Sequence, residues 1–338
     1  MKIRPLLLLL CLYTALRGEA LVLVHLGKDV PAYVADCINQ ARLFNPTMPL
    51  YCIINKGASI PQQCLRIMNE LDVKTVYAES LASTNAHREF TQRSRLDVSH
   101  RDGFWKKTSE RFFYLHELML QEHLVDAFHI ENDVMLYINL SQSLEHFRNY
   151  KRIAAVFDND ERCIPSLMYF NNAESLGYLI DLFVQYADKG YTHSFDMIIP
   201  ALFKRLNGSD YIDQLPIIMP DYAQDYPLES TMGHRTNHPE NYWNHIDQFD
   251  SIFDAAALGQ YLGGIDPRNG LSQPGFINES CLFNPSHLEF SWEFNDQGLR
   301  VPCAHYRGKK YRINNLHIHS KYLAPFTSKE LHEKTVNN

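Results

Sequence analysis

The run Leu21-Val22-Leu23-Val24-His25-Leu26-Gly27 constrains the fold more than any other stretch of the chain. A short, unbroken apolar run that ends at glycine reads as a strand buried on both faces, and such strands belong to parallel sheets sandwiched between helices. The next fifty residues keep to that plan. Pro31 to Phe44 places Val34, Ile38 and Ala41 at helical spacing and stops at Asn45-Pro46. Leu50 to Ile54 reads as a strand, Pro61 to Leu71 as a helix and Val73 to Tyr77 as a third strand. The alternation predicts a parallel sheet with right-handed crossovers, whose ligands bind beyond the carboxyl ends of the strands. His25 and Gly27 therefore stand at the rim of a candidate site.

Beyond Tyr77 the pattern loosens. Ala82 to Asp102 is polar, without clear periodicity, and reads as a long connection. Trp105 to Glu122 is a helix with Phe112, Leu115, Leu118 and Met119 on one stripe. Asp126 to Leu136, Ile153 to Phe157 and Ser166 to Phe170 read as strands, and Ala173 to Tyr186 and Phe195 to Leu206 as helices. Pro216 to Pro239 is turn-rich and aromatic, and Tyr311 runs as a short strand into Leu316-His317-Ile318-His319-Ser320-Lys321. The fold class expected is α/β: a mainly parallel, Rossmann-like sheet flanked by helices, with an irregular C-terminal region. One domain over 21–325 and a polar tail over 326–338 are expected.

The chain starts Met1-Lys2-Ile3-Arg4, continues through an apolar stretch to Tyr13, and reaches small residues by Ala20. This is the layout of a secretory leader, with an uncleaved membrane anchor as the alternative. It predicts a secretory-pathway or membrane-associated protein. A formal net charge of −7 argues against a nucleic-acid groove. Seven cysteines include no Cys-x-x-Cys pair, which argues against a structural zinc site. Asn139, Asn207 and Asn278 head glycosylation sequons if the chain passes through a eukaryotic lumen.

Chemistry concentrates in Glu131-Asn132-Asp133, which comes directly after the apolar segment Ala127-Phe128-His129-Ile130. On a strand, residues i and i+2 face the same way, so Glu131 and Asp133 share a face. Two carboxylates at the end of a buried strand repel each other unless water or a cation reaches them, and a hard divalent ion suits them. The other reading is a strand end entering a turn. His317 and His319 form a second i, i+2 pair, and Lys321 continues it. An imidazole suits an open metal position, and lysine is a point charge suited to a diphosphate. Asn171, Asn172, Asp196 and Asp254 stand at the ends of apolar elements, where each either hydrogen-bonds sugar hydroxyls or caps a helix. Trp105 and Arg111, at the start of the long helix and within it, either stack a base and pair with a phosphate or belong to the core.

An α/β N-terminal half, an acidic triplet after an apolar strand, Ser166-Leu167-Met168-Tyr169-Phe170-Asn171-Asn172-Ala173 and a late His with Lys together resemble the GT-A fold glycosyltransferases. The resemblance implies that Glu131 and Asp133 match the Asp-x-Asp motif, which holds Mn²⁺ or Mg²⁺ against the diphosphate of a nucleotide sugar. His317 or His319 would complete the metal shell. Lys321, with His25, Gly27, Trp105, Arg111, Asn132, Asn171 and Asn172, would bind the donor. It divides the domain into a nucleotide-binding half, 21–140, and an acceptor and catalytic half, 141–325. The implied reaction transfers a sugar, from a UDP-sugar above all, to a hydroxyl of a glycan, lipid or protein. An inverting enzyme needs a base, for which Asp254 is first choice and Asp196 second. The first acid is Glu where the family has Asp, and His-Ile-His-Ser-Lys replaces the family's C-terminal motif. A metal-dependent phosphoesterase and an inactive sugar-binding protein are the alternatives.

Overall fold

The computed structural model describes residues 18–329; the leader expected over 1–20 falls outside them except at its last three positions. The chain runs β1 (Ala20–His25), α1 (Val34–Phe44), β2 (Leu50–Ile54), α2 (Gln62–Glu70) and β3 (Val73–Tyr77). Next come α3 (Asn85–Arg93), α4 (Phe104–Gln121), β4 (Val125–Ile130), β5 (Val134–Leu136) and α5 (Leu144–Arg148). After these the chain forms β6 (Ile153–Asn159), β7 (Arg162–Asn172), α6 (Ala173–Tyr186), α7 (Phe195–Asn207) and β8 (Ile212–Gln214). The last strands are β9 (Ser251–Ile252), β10 (Glu289–Phe294), β11 (Arg300–Tyr306), β12 (Lys309–Ile313) and β13 (Asn315–His317).

A seven-stranded sheet in the order β3-β2-β1-β4-β7-β6-β8 forms the centre. It is mainly parallel: β3, β2, β1 and β4 run one way, β6 pairs parallel with β8, and β7 runs antiparallel to both its neighbours. The first strand explains the layering. Leu21 and Leu23 enter one core cluster, while Ala20, Val22 and Val24 enter the other. Both faces of β1 are therefore dry, and each fully buried aliphatic side chain there contributes about 1.5–3 kcal/mol. One cluster holds the apolar faces of α1 and α2 and most of the C-terminal region; the other holds those of α4, α6 and α7.

Several expectations change. Residues 85–93 of the supposed connection form α3, capped by the Thr84 side chain, which accepts from His87 N at 3.2 Å. Only His87 and Phe90 of this helix are buried, so its sequence carries little periodicity. The C-terminal region is not irregular throughout: β10, β11, β12 and β9 make a second, four-stranded sheet. Packed chain continues past 325. Phe326 belongs to the core, and Ser328 Oγ accepts from Gln40 Nε2 at 2.7 Å. Ala20 is fully buried and pairs with Ala127 on β4. Of the three sequons, Asn278 is buried and donates to Ala256 O at 3.3 Å. No helix among the described residues is long and apolar enough to cross a membrane.

Candidate active site

The expected single strand over Asp126 to Leu136 is broken in two. β4 ends at Ile130, Glu131-Asn132-Asp133 makes a turn closed by Val134 N donating to Glu131 O, and β5 leaves the main sheet to pair with β13. Strand alternation therefore does not align the two acids; the turn does, at the carboxyl end of β4. Asn132 pins that turn to β1, its Nδ2 donating to Val24 O and to His25 Nδ1, both at 3.2 Å. His25 in turn donates from Nε2 to Asp29 O at 2.8 Å, and burial lowers its pKa, so it sits as the neutral Nε2–H tautomer.

Pairing of β13 with β5 sets His317 opposite Val134 and delivers its imidazole to the acids. Nε2 lies 3.1 Å from Asp133 Oδ2 and 3.6 Å from Glu131 Oε2. Glu131, Asp133 and His317 offer one donor atom each, all within 4.8 Å of one another. Two oxygens and an imidazole nitrogen are a hard donor set that fits Mn²⁺ or Mg²⁺. His319 is not part of it. β13 ends at His317, and His319 has passed into a turn with its ring 5.6 Å from that of His317 and perpendicular to it. Burial and the charges of His317 and Lys321 push the His319 pKa down to about 4. Lys321 reaches the cluster through that turn. At φ 67° it adopts a left-handed conformation, its N–H bonds Ile318 O at 3.0 Å, and its ammonium pairs with Asp133.

Arg111 is the second cation. It rises from α4 between two acids, pairing through one arm with Glu131 and through the other with Asp196 at 2.8 Å. Burial alone would raise both carboxyl pKa values in the turn. Arg111 and His317 instead hold Glu131 below its ordinary range, and His317 and Lys321 hold Asp133 well below its own. Burial works against a charged His317, yet the Asp133 carboxylate and its hydrogen bond, with Glu131, raise that pKa. Asp196, at the start of α7, keeps Oδ1 buried and unpartnered.

Asp254 does not face the cleft as a base. It is fully buried, and its carboxylate accepts four backbone N–H bonds of 2.8 Å: Oδ1 from Ala257 and Leu258, Oδ2 from Gly259 and His317. Four donors occupy both oxygens, leaving no lone pair free to take a substrate proton. Its part is to tie the helix Leu258–Gly263 to β13 and so to hold His317. Asn171 and Asn172 are also elsewhere. Because β7 runs antiparallel to β4, Asn172 pairs with Val125 while Leu167 pairs with Ile130, so the asparagines lie at the end of the sheet away from Glu131. Asn172 caps α6, accepting from Ser175 N at 2.9 Å, and Asn171 donates to Lys151 O. Gly27 donates its N–H to Asn55 Oδ1 at 2.8 Å, bracing β1 against β2. Trp105 stands at the head of α4 in an aromatic cluster with His100, Phe104 and His193.

Two features carried no clear mark in the sequence. Tyr33, at the head of α1, has its pKa raised first by burial and then by the Asp133 charge. A loop leaves the helix Leu258–Gly263 at Gly264 and returns at Gly275, whose N–H bonds Tyr261 O at 2.6 Å. Within it Asp266 holds Arg268, and Arg101 Nη2 donates to Asn269 Oδ1 at 2.7 Å. The glycines of Leu258-Gly259-Gln260-Tyr261-Leu262-Gly263-Gly264 were the available signal, since Gly259 and Gly263 both lie against the chain at His317 and Ile318.

No family model and no curated protein matches this sequence. Among solved structures it is similar to mouse xyloside xylosyltransferase 1 in its apo form, at TM-score 0.44 and 10% identity over 61% of this chain and 90% of that one. It is similar to the galactosyltransferase LgtC with donor and acceptor sugar analogues, at TM-score 0.41 and 10% identity over 67% of this chain and 82% of that one. It is also similar to core-mannan synthase A of Aspergillus fumigatus in an Mn/GDP form, at TM-score 0.41 and 7% identity over 58% and 72%. The neighbours are GT-A fold glycosyltransferases. Similarity of this size leaves the reaction of this chain to be read from the geometry of its own site.

Proposed function

We propose that this protein is a metal-dependent glycosyltransferase that moves a sugar from a nucleoside-diphosphate sugar, with a UDP-sugar the first to test, to a hydroxyl of a glycan, lipid or protein acceptor. The observation that carries the reading is the convergence of Glu131, Asp133 and His317 within 4.8 Å, with Lys321 and Arg111 beside them. The cluster lies where ligands of parallel sheets bind. A divalent ion held by these three residues supplies charge neutralisation for the departing diphosphate. To present Nε2, His317 gives up its proton. With an ion held there, Lys321 would be free of Asp133 to meet phosphate oxygens and would add positive charge where negative charge develops.

In the reaction the bond from the anomeric carbon to the diphosphate oxygen breaks, its electron pair leaving with the diphosphate, and the acceptor oxygen bonds to that carbon. The acceptor proton needs a destination. Asp254 cannot receive it, and the second candidate, Asp196, is ion-paired with Arg111, so the reading favours transfer to the leaving phosphate on the same face of the sugar, with retained configuration. The free Oδ1 of Asp196, held by Arg111, suits a sugar hydroxyl. The leader-like start supports a secretory or membrane-associated location, where a lumen supplies nucleotide sugars.

Thermal shift with UDP, GDP and Mn²⁺ tests the donor site, since a ligand that binds only the folded state raises Tm. Slow hydrolysis of a UDP-sugar with Mn²⁺ is expected, abolished by Asp133→Ala, and the anomeric proton signal of the product reads the stereochemistry. Turnover of phosphate esters with none of any nucleotide sugar would sink the reading.

A further inference from the structure

We infer that the aromatic cluster at the head of α4 is the acceptor subsite, and that it receives an uncharged sugar ring. The inference rests on the transferase reading for its place in the reaction, and on the contacts of four aromatic side chains for its chemistry. His100 stacks on Trp105 with ring centres 6.0 Å apart and planes 13° from parallel. Phe104 meets Trp105 edge-on at 4.9 Å, and His193 lies tilted to it at 6.2 Å. Trp105 is half-buried against the core, while Phe104 is 37% exposed and neighbouring Val98 is 65% exposed. A surface of this kind holds the apolar face of a pyranose, and the imidazoles beside it can hydrogen-bond hydroxyls.

The order of contacts along the cleft decides which substrate lies there. Lys321 pairs with Asp133, Glu131 with Arg111 and Arg111 with Asp196; His193 is three residues before Asp196, in the segment that leads into α7. Lys321 is partly exposed, so the diphosphate belongs at its end of the series. Arg111 has both arms committed to carboxylates and offers no such site. Trp105 lies six residues before Arg111 on α4, about 9 Å along the helix axis. The donor sugar therefore occupies the middle, and the platform lies beyond it on the side from which an acceptor approaches.

Charge selects the kind of acceptor. Lys107 pairs with Asp102 at 2.7 Å, Lys106 with Glu110 at 3.7 Å, and Arg101 is drawn to Asp266 at 3.9 Å. These three cations are paired with their own neighbours, so the platform presents aromatic faces and imidazoles, which suit a neutral ring.

The test compares wild type with Trp105→Ala, Trp105→Phe and His193→Ala. Methyl β-galactoside, methyl β-xyloside, methyl α-mannoside and the corresponding disaccharides serve as probes in saturation-transfer NMR without donor, and as acceptors in the transfer assay. At least one probe is expected to bind, with its ring protons saturated most strongly. Trp105→Ala should weaken that binding, and raise the acceptor KM, by about tenfold, as befits loss of an aromatic contact. The rise should exceed any change in donor KM, and Trp105→Phe should recover part of it. His193→Ala alters an exposed side chain and should weaken sugar binding with Tm unchanged. If no neutral sugar binds, or if Trp105→Ala weakens UDP as strongly as sugar, the subsite assignment is wrong. Sugar binding that depends on Trp105 in a protein that turns over no nucleotide sugar would overturn the transferase reading and leave the subsite standing.

Discussion

Replacing Asp254 by asparagine separates a holding role from a catalytic one. The side chain keeps its shape, but one oxygen becomes an NH₂ group. Whichever way the amide turns, two of the four N–H groups of Ala257, Leu258, Gly259 and His317 lose their acceptor. They are buried, and each orphaned donor costs about 1–3 kcal/mol, so the substitution should cost about 2–6 kcal/mol. Unfolding a chain of 338 residues carries an entropy of about 0.7 kcal/mol per kelvin, which converts that loss into a fall in Tm of about 3–8 °C. Because one oxygen holds His317 N, Mn²⁺ affinity should fall as well. Calorimetry gives the first quantity and Mn²⁺ titration the second. A variant with wild-type Tm and Mn²⁺ affinity but a kcat lowered by a factor on the order of 10³ would refute the reasoning, because that is how loss of a general base reads.

Gly259→Ala should produce the same loss from the other side. A methyl there would lie 2.6 Å from His317 C and 2.8 Å from Asp254 Oδ2, and closer still to the His317 carbonyl oxygen, so β13 must move and Tm should drop with metal affinity. Arg111→Met should destabilise by about 3–5 kcal/mol in urea unfolding, because it strands Glu131 and Asp196 as buried carboxylates; an unchanged midpoint contradicts the pairing. The hydrogen bonds from Arg268, against burial, hold Asp266 down to about 2. An unfolded Asp titrates near about 3.9, so this stabilisation is complete above about pH 5 and is lost as pH falls towards about 2. Arg268→Gln should therefore be less stable than wild type at neutral pH, with the gap closing in acid; a gap that widens in acid would reverse the assignment.

The parallel half was legible because its signals are local. The strands Leu50–Ile54 and Val73–Tyr77 and the helix Ala173–Tyr186 fall where apolar runs and turn residues place them. The second sheet was missed although its clues were present: Phe290, Trp292 and Phe294 alternate along β10, and Arg307-Gly308, both left-handed, turn β11 into β12. β10 and β12 are largely exposed or half-buried and β9 has two residues, so hydrophobic pattern spoke weakly.

The sequence by itself determined that a dry, helix-covered sheet forms and that Glu131, Asp133, His317 and Lys321 are residues able to hold a metal and a phosphate. Burial periodicity and side-chain chemistry are properties of short segments, and they survive without the fold. Tertiary structure alone decided which of these groups meet. The direction of β7 carried Asn171 and Asn172 to the wrong end, and pairing of β13 with β5 chose His317 over His319. Asp254 became a brace because four N–H groups from segments up to 63 residues away converge on it. Strand direction and long-range hydrogen bonding depend on chain that is distant in sequence, and no local pattern records them.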